Sequence, residues 1–302
     1  MAINRAQLAK ELEPGLNVLF GLEYNRYDQE HEELFDKETS VRAFEEEVMM
    51  VGFGNAPVKA EGQGTQYDDA REAWTARYTH ETISLAFALT EEAVEDNLYD
   101  SISKRYTKAM ARSMAYTKNV KGAAVFNRAF NASYLGGDGL EMISALHPLT
   151  AGGTWANEPT TAADLNETSL ENAVIDISLF TDERGLTTAL KAQKLVVPPQ
   201  LMFVVDRLLN TNLRVETANN DLNSIKNQNV VPGGFAVNHF LTDTDAWFLK
   251  TDAPNAMKCF ERTKLSTKME GDFDTGNMRY KCRERYVFGW SDPRGIYGSP
   301  GA

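Results

Sequence analysis

Residues 278–290 read MRYKCRERYVFGW. Met278, Tyr280, Cys282, Tyr286, Phe288 and Trp290 share one parity, interrupted only by Glu284, while Arg279, Lys281, Arg283 and Arg285 occupy the other. Side chains alternate faces along a β-strand. The stretch therefore reads as a long strand with one apolar face and one face carrying four cations. Such a face suits nucleic acid, an anionic substrate or an acidic protein surface, and the rest of the chain has to choose among them.

The chain has 302 residues, enough for one large or two modest domains with real cores. Its net charge is -12, from 43 acids against 31 bases. An acidic chain is not drawn to DNA or anionic membrane by bulk attraction, so any nucleic-acid contact has to be local. Cys259 and Cys282 form no CxxC, and the opening MAINRAQLAKELEPG has no apolar core of a leader, which points to a reduced compartment. No run approaches the ~20 apolar residues of a membrane helix. The expectation is an intracellular chain, or one assembled inside a cell.

Upstream of the basic strand, residues 1–40 are polar and acidic, and HEELFDKE (31–38) reads as a short helix or as an arm lying on something else. Two strand-like limbs follow, VRAFEEEVMMVGF (41–53) and WTARYTHETISLAFALT (74–90), joined by about 20 polar, glycine-bearing residues. In the second limb Trp74, Ala76 and Tyr78 share one face and Ile83, Leu85, Phe87 and Leu89 the next. The parity flips between Thr79 and Thr82, which predicts a bulge or bend. A loop this long with so little core is functional or bound to a partner.

From Thr90, residues Val94, Leu98, Ile102, Tyr106, Met110, Met114, Val120 and Ala124 recur at near-helical spacing, and no proline intervenes before Pro148. A helix of ~40 residues would span ~60 Å, more than the roughly 40–50 Å of a compact domain this size. Either the molecule is flat and elongated or Gly122 ends or kinks the helix. Residues 136–168 are loop-rich. SLENAVIDISLFTDERG (169–185) reads as a helix closed by Gly185. Leu195–Val197 reads as a buried strand, with Pro199 opening the next helix. An Asn-rich surface loop (210–234) precedes the strands FAVNHFL and DAWFLK.

Most chemical motifs fail on inspection. Asp274-Thr275-Gly276 is the triplet of aspartic proteases, but that chemistry needs two carboxylates sharing a proton and no second copy exists. Asp-Thr-Gly-Asn suits a hairpin turn before the basic strand. An EF-hand counted from Asp272 would need a Glu where Arg283 stands. Gly52-Phe53-Gly54 lacks the Gly-Lys-Ser/Thr of a phosphate loop. His31, His80, His147 and His239 show no metal-ligand spacing. His147 orders its loop by hydrogen bonds in this reading, and Cys282 is a small core residue. No catalytic residue, metal site or cofactor is expected.

The ordered set of blocks HPLTAGGTWAN, DLNETSLENAVIDISLFTDERGL, LKAQKLVVPPQL and TDTDAWFLK resembles the major head subunits of Mu-like and related tailed phages. The closing RYKCRERYVFGWSDPRGIYG resembles the final strand of tailed-phage major capsid proteins in general, whose fold is shared with encapsulins. The similarity covers about residues 40–300, in order. It implies an α+β capsid fold: an N-terminal arm (1–40), an extended β-hairpin loop (41–88), a peripheral domain holding a spine helix (89–145 and 255–302) and an axial domain (146–254). It also implies an icosahedral shell of pentamers and hexamers around double-stranded DNA, without sequence-specific binding and without a membrane. A separate scaffolding protein, a portal and a decoration protein are the implied partners, with the host cytoplasm as the place of assembly. The rivals are an encapsulin-like nanocompartment subunit and an acidic hydrolase using Asp272 and Asp274. Lys59 lies in the loop, but no partner Asn or catalytic Glu for a cross-link stands out. In this frame the cations Arg279, Lys281, Arg283 and Arg285 meet acidic protein, with Glu45, Glu46 and Glu47 of the same or an adjacent subunit as the expected partners.

Overall fold

The alternating stretch is a strand in the computed structural model, which describes residues 5–90, 92, 99–213, 221–272 and 276–302. Met278, Tyr280, Cys282 and Tyr286 are buried, whereas Arg279, Lys281 and Arg283 are exposed. The apolar face fixes the register, because a slip by one residue would drive the cations into the core.

In chain order, α1 (Arg5–Tyr24) leads to β1 (Asp36–Thr39), β2 (Phe44–Val51), β3 (Arg71–Thr79), β4 (Glu81–Leu89) and the long α2 (Tyr99–Asn127). Short β5 (His147–Pro148) and β6 (Thr154–Trp155) precede α3 (Glu167–Ser178), β7 (Ala192–Val197), α4 (Met202–Asn210) and α5 (Ser224–Gln228). The chain closes with β8 (Phe235–Val237), β9 (Trp247–Thr251), β10 (Met257–Gly271), β11 (Met278–Trp290) and β12 (Ile296–Ser299).

Two four-stranded sheets carry the fold, one in the order β1-β10-β11-β4 and the other β12-β9-β7-β8. The β2-β3 hairpin stands apart as its own two-stranded sheet. In the first sheet β11 is central, antiparallel to both β10 and β4. Its inner face, with Tyr280 and Cys282, packs under Met110, Ala111, Met114 and Ala115 of α2 and Leu16, Phe20 and Tyr24 of α1. A second core joins α3 (Leu170, Ala173, Ile177) to Leu195, Val197, Trp247 and Leu249 of the second sheet. A third, with Phe126, Ile143, Phe248, Met257 and Cys259, ties the two sheets together.

Several expectations change in detail. The N-terminal segment is not a bare polar arm: Leu16, Phe20 and Tyr24, four residues apart, form one helical stripe that docks on α2. HEELFDKE is not helical. Leu34 and Phe35 are buried, and residues 36–39 become β1, parallel to β10. The helix expected from Thr90 is seen as the 29 residues of α2, ~43 Å long; Val94 and Leu98 lie outside the described residues. Gly122 does not end it, since the helix continues to Asn127. That glycine admits His31, whose Cβ would stand 2.8 Å from an added Cβ, so the arm crosses the helix there. α3 stops at Ser178, and Gly185 (φ +83) instead serves the following turn. The Asn-rich loop contains α5, nucleated by Asn223, whose side chain accepts from Ile225 N and Lys226 N.

The flip in the second limb is a change of sheet. β3 pairs with β2, β4 pairs with β11, and His80 is the one residue between them. Nineteen residues, 52–70, join β2 to β3 without strand or helix, and nearly all are exposed.

Candidate functional site

The outer face of the first sheet is built by register. Arg279, Lys281, Arg283 and Arg285 on β11 stand opposite Ala88, Ala86, Ser84 and Thr82 of β4. On the other side Glu270, Lys268, Ser266 and Thr263 of β10 face the same four. Exposed Lys264 extends the row on β10. The result is a flat basic shelf beside a strip of small side chains. Glu270 pairs with Lys268, and Arg279 Nη2 lies 2.6 Å from Asp272 Oδ2 at the hairpin end.

Among the described residues no ion pair joins the cation row to Glu45, Glu46 or Glu47 of the same chain. Glu45 accepts from Ser40 Oγ at 2.6 Å. Glu46 makes an open pair with Arg77 at 3.7 Å. Glu47 is 3.0 Å from Lys258 and also accepts from Ser291. Lys258 additionally pairs with Glu38, so these acids tie the hairpin to β1 and β10. The loop tip is held too. Asp68 Oδ2 accepts from Gly54 N at 2.7 Å and pairs with Arg184 at 2.5 Å, which holds the Asp68 carboxyl down at about 2. Arg71 donates to Thr150 O at 3.0 Å.

Asp272 belongs to a hairpin end, with Asp272 N donating to Asn277 O at 2.8 Å and Gly276 N to Asp272 O at 2.9 Å. Asp274 and Thr275 lie outside the described residues. His147 orders its loop as expected: Nδ1 is 2.6 Å from Asp138 Oδ2, Nε2 is 3.2 Å from Asn157 Oδ1, and the ring stacks on Trp155. Burial pushes the Cys259 and Cys282 thiols up to about 11, which leaves them poor nucleophiles. Among the described residues no group of three or more His, Cys, Asp or Glu side chains is arranged to hold a metal, and no helix is long and apolar enough to cross a membrane.

Two clusters escaped the sequence reading. Beneath the sheet, the Lys118 ammonium of α2 lies 3.3 Å from Glu261 and 3.4 Å from Glu284, all three nearly sealed from solvent. The Tyr286 ring lies 5.1 Å from that ammonium. Burial raises the Glu284 pKa, and Lys118 works against the shift. Burial alone would lower the Lys118 pKa, yet Tyr24, Glu284 and Glu261 together raise it. At the end of the cation row, His80 Nε2 lies 2.9 Å from Ser40 Oγ, and burial together with the Arg285 and Arg262 charges holds the His80 pKa down.

A family model described as phage capsid protein matches residues 72–299. No curated protein matches. Among solved structures, the procapsid of bacteriophage JBD30 aligns with a TM-score of 0.55 at 14% identity, over 98% of this chain and 76% of that one. A virus-like particle from Pyrococcus furiosus aligns at 0.54 and 10% identity, over 94% and 97%. The capsid of Myoviridae phage XM1 aligns at 0.52 and 12%, over 89% of both chains. At such identities these likenesses speak to the fold.

Proposed function

The chain belongs to the phage capsid protein family, and on that premise we infer that it closes the icosahedral head of a tailed double-stranded DNA phage as pentamers and hexamers of itself. It is a major capsid subunit, a structural protein of the virion that assembles with copies of itself. The observation that carries the reading is the family match across residues 72–299, which runs from β3 to β12. An encapsulin-like shell shares this fold, and the match to phage capsids favours the virion.

We assign residues 1–40 to an arm, 41–88 to an extended loop, 89–145 with 255–302 to a peripheral domain and 146–254 to an axial domain. The pairing of β10 with β11 in one sheet and of β7 with β8 and β9 in the other supports that division, with β12 crossing to the second sheet. The kinship to Mu-like heads is supported by the sequence blocks. A scaffolding protein, a portal and a decoration protein are proposed partners, assembly is proposed to occur in the host cytoplasm, and DNA is enclosed without its sequence being read.

The basic shelf is proposed to lie between copies, with Arg279, Lys281, Arg283 and Arg285 facing acids of a neighbour, among them Glu45, Glu46 and Glu47. Glu46 is the exchangeable one, because its pair with Arg77 is long and solvated. An exposed pair contributes only ~0–1 kcal/mol, but a shell repeats it in every subunit. Negative-stain microscopy of wild-type and Arg283→Glu particles tests both levels. The variant is expected to give few shells, or shells that fall apart as salt rises, and Glu46→Arg is expected to restore part of the yield. Normal Arg283→Glu shells at low and high salt would remove the contact. Wild-type protein that forms no particle under any condition would remove the shell reading.

A further inference from the structure

The helix α2 carries a second basic surface. No Asp or Glu stands between Asp100 and Asp138, the longest such interval in a chain whose net charge is -12. Lys104, Arg105, Lys108 and Arg112 lie within it and are exposed. At ~3.6 residues per turn these four fall within about 100° of arc. On the other side of the helix Ser103, Thr107, Met110, Ala111 and Met114 are buried. The last three pack with α1 and with Tyr280 and Cys282 on the inner face of the first sheet. The shelf of β11 cations lies on the opposite face of that sheet, so the two basic surfaces look away from each other.

The stripe lacks the compensation seen elsewhere. Further along α2, Lys118 and Lys121 are paired with acids. On the shelf, Glu270 stands beside Lys268 and Asp272 beside Arg279. Among the described residues no ion pair engages Arg105, Lys108 or Arg112. Like charges four residues apart on a helix repel, and Lys104, Lys108 and Arg112 stand at that spacing. An anion from outside the subunit relieves the repulsion.

We propose that Lys104, Arg105, Lys108 and Arg112 bind the phosphate backbone of double-stranded DNA, whatever its sequence. The proposal rests on the capsid reading, which gives the subunit a duplex to face, and it names the surface that does so. From Lys104 to Arg112 the helix rises ~12 Å. Over that length a duplex presents about seven phosphates on its two strands. The stripe therefore finds anions in any register, whereas an acidic protein would need its acids set at matching positions. The other exposed residues from 104 to 116 are Tyr106, Ala109, Ser113 and Tyr116, with no Asn or Gln to read base edges. The acidic remainder of the chain repels phosphate and confines the contact to this surface. Binding of this kind releases counterions and is governed by salt. With four phosphates neutralised, a rise from 50 to 200 mM salt weakens it about 150-fold. Such a contact is reversible, as a genome that enters and leaves a shell requires.

The test uses the full-length unassembled subunit and two short fluorescent duplexes of unrelated sequence, read by anisotropy between about 50 and 200 mM salt. Wild-type protein is expected to bind both duplexes equally at the lower salt, with a slope of log affinity against log salt of about -3.6. Lys108→Gln with Arg112→Gln is expected to weaken binding at low salt at least tenfold and to bring the slope to about -1.8. Lys108→Arg with Arg112→Lys, which keeps both charges, is expected to behave as wild type. Arg279→Gln with Arg283→Gln, on the opposite face, is expected to leave affinity and slope unchanged. Circular dichroism controls for folding, and Lys104→Gln with Arg105→Gln reads the same loss if the first pair unfolds. Absent binding at low salt, or affinity and slope unchanged in the folded α2 variants, overturns the proposal. Loss confined to the β11 variant overturns it by moving DNA to the shelf, and a preference for one duplex overturns its indifference to sequence. Binding of a polyglutamate peptide without binding of DNA overturns it in favour of an acidic protein. Wild-type shells seen by microscopy alongside any of these failures leave the capsid reading intact, whereas missing shells with intact DNA binding fault that reading and not this surface.

Discussion

Lys118 and Glu284 show how a single residue can be visible in a sequence and still be misjudged. Glu284 interrupts the apolar parity of β11, and Lys118 falls four residues after Met114 on the apolar stripe of α2. Each alone reads as a lapse in a pattern. Their common meaning, an ion pair across the core with Glu261 as the second acid, appears only when α2 is laid on the sheet. Removing one partner of a buried pair leaves a buried charge, which costs about 3–5 kcal/mol. Lys118→Met is therefore expected to lose that much stability near neutral pH in urea unfolding of the unassembled subunit. The pH dependence has a definite sign. The folded-state pKa of Glu284 is already raised by burial and rises further without the ammonium. Protonation then favours the folded state, so the variant's deficit should shrink as pH drops toward the carboxylate range and grow as pH rises through the folded pKa. A deficit that does not change with pH would show that packing, not charge, is what Lys118 contributes.

At the level of elements, the strands were legible because their period is short and their burial one-sided. The alternation in β11 and the parity flip at His80 both have direct structural counterparts. Helix ends were less legible. α3 ends at Ser178, before the glycine that looked like its stop, because residues 180–188 turn back on themselves through the Thr181–Thr187 bridge. β1 was missed because four polar residues owe their strand to β10 rather than to themselves. The 52–70 loop was read as long and coreless. What could not be read is the Asp68–Arg184 strut, since 116 residues separate its ends. Arg184→Ala is expected to release the loop and speed its cleavage by a nonspecific protease several-fold in the unassembled subunit, with the global unfolding midpoint little changed. Equal cleavage rates in variant and wild type would show that the strut does not hold the loop.

For the molecule as a whole, the family was legible in the order of its blocks and the site was not. Capsid function spreads over surfaces, and the face that β4 and β10 lay beside the β11 cations joins three strands that no local pattern connects. The docked α1 carries a whole-molecule expectation. Leu16, Phe20 and Tyr24 each stand to contribute ~1.5–3 kcal/mol by burial, a large share of the 5–15 kcal/mol that holds a typical domain. Deleting residues 1–24 would also bare Met110 and Met114. The truncated chain is expected to aggregate in sedimentation velocity at concentrations where the full chain remains soluble. A truncated chain that stays soluble and assembles normally would show α1 to be dispensable.

The change of sheet at His80 also has a mechanical meaning. Only His80 separates the hairpin strand β3 from β4 of the body, so a pull on the 52–70 loop runs down β3 into β4. There it meets nine residue pairs between β4 and β11, from Glu81–Tyr286 to Leu89–Met278. A load along the strand axis is divided among those pairs and strains them together, whereas a load across the axis would open them one after another. The loop is thus anchored like a lap joint, strongest in the direction in which a neighbour holding its tip would tug.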